Sequence, residues 1–166
     1  GGGSGGALVK DGTGTLTLSG ANTYTGATIV EAGTLALGLG GSIATSDSVD
    51  LQTGGTTLDI SAGGNQTIQG LAGAAGSKVI LGANTLTVGG ANFSEFDGTI
   101  AGSGGITKQG PETLFLTGSN SYTGATTINA GTLAIGFDGS IAKSSEVDLA
   151  GAGAIFDISA ADTAQT

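Results

Sequence analysis

Short stretches of alternating polar and apolar residues recur along most of the chain. Thr15-Leu16-Thr17-Leu18, Thr34-Leu35-Ala36-Leu37 and Thr85-Leu86-Thr87-Val88 alternate in this way, as do Val49-Asp50-Leu51 and Leu58-Asp59-Ile60. A period of two puts Leu, Ile and Val on one face of a strand and Thr, Ala or Asp on the other. Gly, Asn and Ser punctuate the runs, as turns require. No 3.6-residue period is sustained, and the nearest helical candidate, residues 72–78, is broken by Gly73 and Gly76. The pattern predicts many short strands. Leu16, Leu18, Leu35, Leu37, Leu58 and Ile60 should point inward, with Leu114, Leu116, Leu133, Ile135, Phe156 and Ile158 in matching positions.

The strands recur at long range. Shifted by 98 positions, residues 8–62 match residues 106–160 without a gap, at 31 of 55 positions. A degenerate third copy occupies residues 84–100, where NTLTVGGANFSEFDGTI parallels GTLTLSGANTYTGATI with one residue inserted. Its Thr85 is the counterpart of Thr15 before it and of Thr113 after it. If the first gap holds three coils and the second holds one, a coil takes about 23–28 residues, the size of a solenoid turn. On that reading the full repeat is about four turns.

Short strands in a long repeat predict an all-β fold, a right-handed parallel β-helix of about seven coils, with residues 1–166 forming one unit. Composition agrees. Of 166 residues, 35 are Gly and one is Pro, aromatics make up 4%, and the apolar residues are mainly Leu, Ile, Val and Ala. Small and β-branched side chains suit closely stacked pleated surfaces. The rival is an antiparallel sandwich, which would use Asp11-Gly12, Asp97-Gly98 and Asp138-Gly139 as hairpin turns. The second copy stops near Thr166, so the chain is expected to be a piece of a longer rod. Its ends, residues 1–8 and 160–166, are then expected to be frayed, with weak self-association through open coils.

Charge and missing residue types narrow the chemistry. The formal net charge is −9, from four Lys, no Arg and 13 acids. A basic nucleic-acid interface is therefore not expected. The chain has no His and no Cys, which removes Ser-His-Asp and Cys-His catalysis and zinc sites built from those ligands. No phosphate-binding loop is present. No catalytic, cofactor-binding or metal-ligating residues are expected, and no cofactor. Asp50 and Asp59, matched by Asp148 and Asp157, read as a solvated outward stripe rather than a catalytic pair. Glu95 and Asp97 in SEFDG offer at most one weak cation site on a loop. Thr15/Thr17 and Thr85/Thr87 would suit an ice-binding face only if paired in every coil, and Phe115 interrupts that column. Lys10 and Lys108 read as stems lying over a coil edge with the charge in water.

Both tyrosines of the chain lie in one motif, GANTYTG at residues 20–26 and GSNSYTG at residues 118–124. Asn22 and Asn120 suit a backbone-bonded or left-handed turn, and Gly26 and Gly124 its closure. Tyr24 and Tyr122 would cover the apolar edge of that corner.

The stretches GGALVKDGTGTLTLSGANTYTGATIVEAGTLALG and GGITKQGPETLFLTGSNSYTGATTINAGTLAIG resemble the passenger-associated transport repeat of type V autotransporters. The second copy has the Gly-Gly-apolar-x-Lys entry, Gly6-Ala7-Leu8-Val9-Lys10 takes its place in the first, and both continue with Thr-Leu-x-Leu, Asn-x-Tyr-x-Gly and Gly-Thr-Leu. Phe115 in place of Thr17 and Pro111 in place of Thr13 depart from the pattern and should perturb one coil locally. The resemblance implies a β-helical passenger displayed on, or released from, a Gram-negative outer membrane, secreted through its own β-barrel outside this chain. It implies a non-enzymatic stalk or display role in adhesion, self-association or virulence. The partner would be a host-surface protein or glycan, or a like passenger. The alternatives are a β-helical polysaccharide-cleaving enzyme and a secreted host-receptor ligand.

Overall fold

A computed structural model describes residues 5–90 and 92–161. These form eighteen short strands and no helix, and every strand pairing is parallel. The strands stack into three sheets, the three faces of a β-solenoid of about seven turns. The first face has eight strands, from Leu8–Lys10 to Ile155–Asp157. The second has five, from Thr15–Leu18 to Thr99–Gly102, and the third has five, from Gln66–Ile68 to Val147–Leu149. The chain visits first, second and third face in rotation. Parallel pairing throughout excludes the sandwich, whose hairpins would pair antiparallel. The helical candidate at residues 72–78 is the end of strand Leu71–Gly73, a turn, and the start of strand Lys78–Gly82.

The period-two pattern packs as expected. Leu35, Leu37, Leu58, Ile60, Leu114, Leu116, Leu133 and Ile135 are fully or almost fully buried, and Leu16, Leu18 and Phe156 pack against that core from its margins. Ile158 departs from the expectation and is 55% exposed. It sits in the last described coil, so no described residue stacks over it. The expectations for the chain ends fall mainly on residues 1–4 and 162–166, which lie outside the described residues.

Coils are shorter than the sequence spacing implied, and the reason lies in the register. On the first face Thr113 pairs with Thr132, and Thr132 with Ile155. On the third face Leu86 pairs with Ile106, and Ile106 with Thr126. A turn is thus about 20 residues, at the short end for a solenoid. The repeats are not stacked turn upon turn. Thr15–Leu18 lies on the second face, Leu86–Val88 of the degenerate copy on the third, and Thr113–Leu116 on the first. From Thr15 to Thr113 the chain takes fourteen face steps, which are four turns and two further faces. Thr15 to Thr85 takes ten steps, and Thr85 to Thr113 takes four. In all three cases the spacing is about seven residues per face, a third of a turn. One motif is therefore used once on each side of the rod.

The core explains why this is tolerated. Leu16 and Leu18, Leu86 and Val88, and Leu114 and Leu116 all turn into the same aliphatic interior. An interior of Leu, Ile and Val with few aromatics presents much the same surface to all three faces. The rotation moves the irregular side as well. In the first copy the third face is replaced by a turn held by the isolated bridge Ala21↔Ser42. In the second copy the second face is replaced in the same way, by Ser119↔Ser140. Pro111 and Phe115 do not disrupt their coil. Gly110 keeps the left-handed φ of +78° that Gly12 has at +83°, and Thr113–Leu116 has the four-residue length of Thr15–Leu18.

Candidate functional site

The tyrosine corner carries the same chain of hydroxyls in the two copies, around a buried Tyr122 and a partly buried Tyr24. The Tyr122 hydroxyl is 2.7 Å from Thr126 Oγ1, which lies 2.9 Å from Ser144 Oγ. Ser144 Oγ also donates to the Gly124 carbonyl. Tyr24, Thr28, Ser46 and Gly26 repeat this chain of hydroxyls at 2.6, 2.8 and 2.9 Å. Tyr122 is 1% exposed. Burial pushes its pKa up to about 12 against the opposing pull of the Thr126 bond, and Tyr24 is raised for the same reason. The ring fills the corner and its hydroxyl satisfies buried polar groups, so neither tyrosine is a free binding step.

The rest of the motif seals a sheet edge. Thr99–Gly102 is the last strand of the second face, and the segment after Gly118 lies over it. The Ile100 N–H donates to Asn120 Oδ1 at 2.9 Å, and the Ser121 and Thr123 N–H groups donate to the Ile100 and Gly102 carbonyls. Asn22 and Asn120 do bond the backbone, but no non-glycine residue has a positive φ among the described residues. Of the two turn roles open to them, the asparagines take backbone bonding and not the left-handed conformation. Gly26 and Gly124 are required by close approach rather than by φ. A Cβ on Gly124 would stand 2.5 Å from the Gly104 backbone.

Lys10 and Lys108 correct the expectation most strongly. Both are buried, 6% and 3% exposed, and occupy inward ladder positions where Val30, Val88 and Ile128 are their partners. The Lys108 ammonium donates to the carbonyls of Gln109, Gly110 and Ala130. Lys10 does the same to Asp11, Gly12 and Ala32. Left-handed Gly12 and Gly110 turn their carbonyls inward, and left-handed Gly33 and Gly131 follow the third carbonyl in the next coil. Each lysine thus ties two successive coils. Burial lowers the Lys108 pKa and Glu112 opposes it, while the three acceptors favour the charged form.

The acids do not form a stripe. Asp50 faces outward on the first face and Asp148 on the third; Asp59 is on the second and Asp157 on the first. A single column fails because the repeats are rotated about the rod. Asp59 Oδ1 and Asp157 Oδ1 each accept the N–H two positions on, from Ser61 at 2.9 Å and Ser159 at 2.8 Å. That backbone bond is the main reason the Asp157 carboxyl titrates below its usual range. Among the described residues no group of three or more metal-ligating side chains is gathered. Glu95 lies on strand Ser94–Phe96, not on a loop, and Asp97 accepts from Thr117 Oγ1. Thr15/Thr17 and Thr85/Thr87 stand on different faces. The third face instead carries a single column, Thr67, Thr87, Thr107 and Thr127, which adjacent-coil register brings together.

One exposed concavity has side chains suited to binding. It is a shallow groove of about 690 Å³ along the corner where first-face strands end. Phe115 and Phe137 line it together with Asp97 and Asp138. Phe137 is 67% exposed. Sequence spacing does not reveal this groove, because its residues come from several successive coils and only the register assembles them.

The passenger-associated-transport-repeat family model matches residues 8–37 and 106–135. The chain is 42% identical over 133 residues, 77% of its length, to the Adhesin BmaC autotransporter of Brucella suis biovar 1 (strain 1330). It is 42% identical over 60 residues, 36% of its length, to an Extracellular serine protease of Serratia marcescens. It spans 4% and 6% of the lengths of these two relatives. No solved structure matches it. With its all-parallel solenoid and two matched repeats, the chain belongs to the autotransporter passenger domains that carry passenger-associated transport repeats.

Proposed function

We propose that this solenoid is a non-enzymatic display segment that contributes to adhesion, on the surface of a Gram-negative bacterium or after release from it. The observation that carries this reading is the 42% identity to an autotransporter adhesin across 77% of the chain. The physical features support it. Many of the polar groups that could act are already committed: the tyrosine hydroxyls to buried threonines, the two inward lysines to carbonyls. The repeated acids Asp50, Asp59, Asp148 and Asp157 are dispersed over three faces, so they do not supply the two carboxyls within about 5–10 Å of each other that polysaccharide cleavage needs. A parallel rod suits display because each coil needs only its neighbours for support, so length adds reach without a new core. The partner is a host-surface protein or glycan, or a like passenger, and the chain's own outer-membrane barrel lies elsewhere in the full protein.

The test is to display the segment on a non-adherent bacterium through a heterologous autotransporter barrel. Cells displaying the segment should bind cultured host cells above cells displaying the barrel alone. Equal binding by the two would overturn the adhesive reading. Release of oligosaccharides from acidic polysaccharides by the purified segment would favour the enzyme instead.

A further inference from the structure

We propose that the corner groove lined by Phe115 and Phe137 binds an extended, arginine- or lysine-bearing segment of a partner protein. The inference deepens the adhesive reading above and rests on it for the setting, but not for the chemistry. Three observations converge on this one place.

The first is internal to the sequence. The two copies are alike over most of their length, yet Phe115 stands where the first copy has Thr17, Phe137 where it has Leu39, and Asp138 where it has Gly40. These three changes come together in one groove, though the two phenylalanines belong to successive coils. Neither ring is needed by the core, since Phe137 is 67% exposed and the first copy folds the same coil without either.

The second is charge. Asp97 and Asp138 line the same groove as the rings, and Glu95 is the direct ladder partner of Phe115 on the outward side of the first face. No basic residue lines the groove. Aromatic faces beside carboxylates attract a guanidinium or ammonium twice over, through the ring quadrupole and through ion pairing.

The third is the rest of the surface. Lys10 and Lys108 are turned inward onto carbonyls, which leaves Lys78 and Lys143 as surface cations on a chain with 13 acids. The rod therefore presents a broadly negative potential, which steers a cationic partner toward it. The groove supplies the specific contact at the end of that approach. It runs along the axis across successive coils, which suits an extended segment rather than a compact group.

Fluorescence anisotropy on the intact chain tests this with a labelled peptide of six Arg-Gly repeats, a matched Glu-Gly peptide, and a neutral oligosaccharide of N-acetylglucosamine as competitor. The chain should bind the Arg-Gly peptide, ignore the Glu-Gly peptide and be unaffected by the sugar. The variant F115T/F137L/D138G, which restores first-copy residues, should bind about tenfold more weakly. D138N, an exposed change that leaves the fold intact, should weaken binding about threefold. D50N/D148N, with a larger charge change elsewhere on the rod, should stay within about twofold. Unchanged affinity in F115T/F137L/D138G, or an equal loss in D50N/D148N, would overturn the proposal in favour of diffuse charge attraction. Displacement by the sugar would overturn it in favour of a glycan. The measurement is made in solution, so its outcome is independent of whether displayed cells adhere.

Discussion

Replacing Lys108 with Met should destabilise the solenoid by about 3 kcal/mol, the usual cost of leaving buried polar groups without a partner. Met fills a similar volume, so the loss is electrostatic and not a cavity. The carbonyls of Gln109, Gly110 and Ala130 would lose their common donor, the buried Lys108 ammonium, in partly buried surroundings. Because those carbonyls belong to two coils, the tie between the coils is lost with the charge. Lys143→Met is the control. That side chain is exposed, and its replacement should change stability by less than about 0.5 kcal/mol. Urea unfolding of the two variants beside the parent chain measures both. Equal, small effects would mean that the buried ammonium contributes nothing and that the motif's lysine has another purpose.

A second large effect is expected at Gly118. A Cβ there would fall 1.8 Å from the Gly98 carbonyl oxygen, a backbone atom of the coil beneath. The segment cannot move aside without breaking its bonds to that coil, so Gly118→Ala should cost about 3 kcal/mol, at the upper end for overpacking. The equivalent position in the first copy is Gly20, where a Cβ meets nothing within 4 Å. Gly20→Ala should therefore be nearly neutral. The pair isolates stacking from motif identity: same residue, same motif, opposite cost. Matched thermal unfolding of the two variants decides it, and similar losses in both would contradict the stacking.

These positions also mark how far the sequence can be read. The strands and their inward residues are legible, because a two-residue period with one aliphatic side admits only one register against a core. The repeat is legible by direct comparison. What the repeat means in space is not. Equating a recurring motif with a recurring face gives coils of about 23–28 residues and a four-turn period, whereas the motif returns on a different face each time. Nothing in one copy states its face, because the aliphatic interior accepts Thr-Leu-x-Leu from any side. The same equation turns Asp50, Asp59, Asp148 and Asp157 into a stripe that the fold does not contain. Lys10 and Lys108 mislead for another reason. A lysine in an alternating strand suggests solvent, and only the turn geometry of the following glycines shows carbonyls waiting for it. Phe115 stands out in the sequence as a departure, but its partners Asp97, Phe137 and Asp138 come from other coils and have no local signature.

The rotation of the repeat is the feature on which the groove and the edge seal both depend. Engineered cysteine pairs test it directly, since the chain has none of its own. In the rotated arrangement Glu95 lies directly beneath Phe115 on the first face, while Ala101 lies on the second. Adjacent parallel strands are about 4.8 Å apart, within reach of a disulfide. Under mild oxidation E95C/F115C should therefore close to a disulfide in the folded chain, and A101C/F115C should remain reduced. Closure of A101C/F115C with E95C/F115C left reduced would place the second copy over the same face as the first and contradict the account.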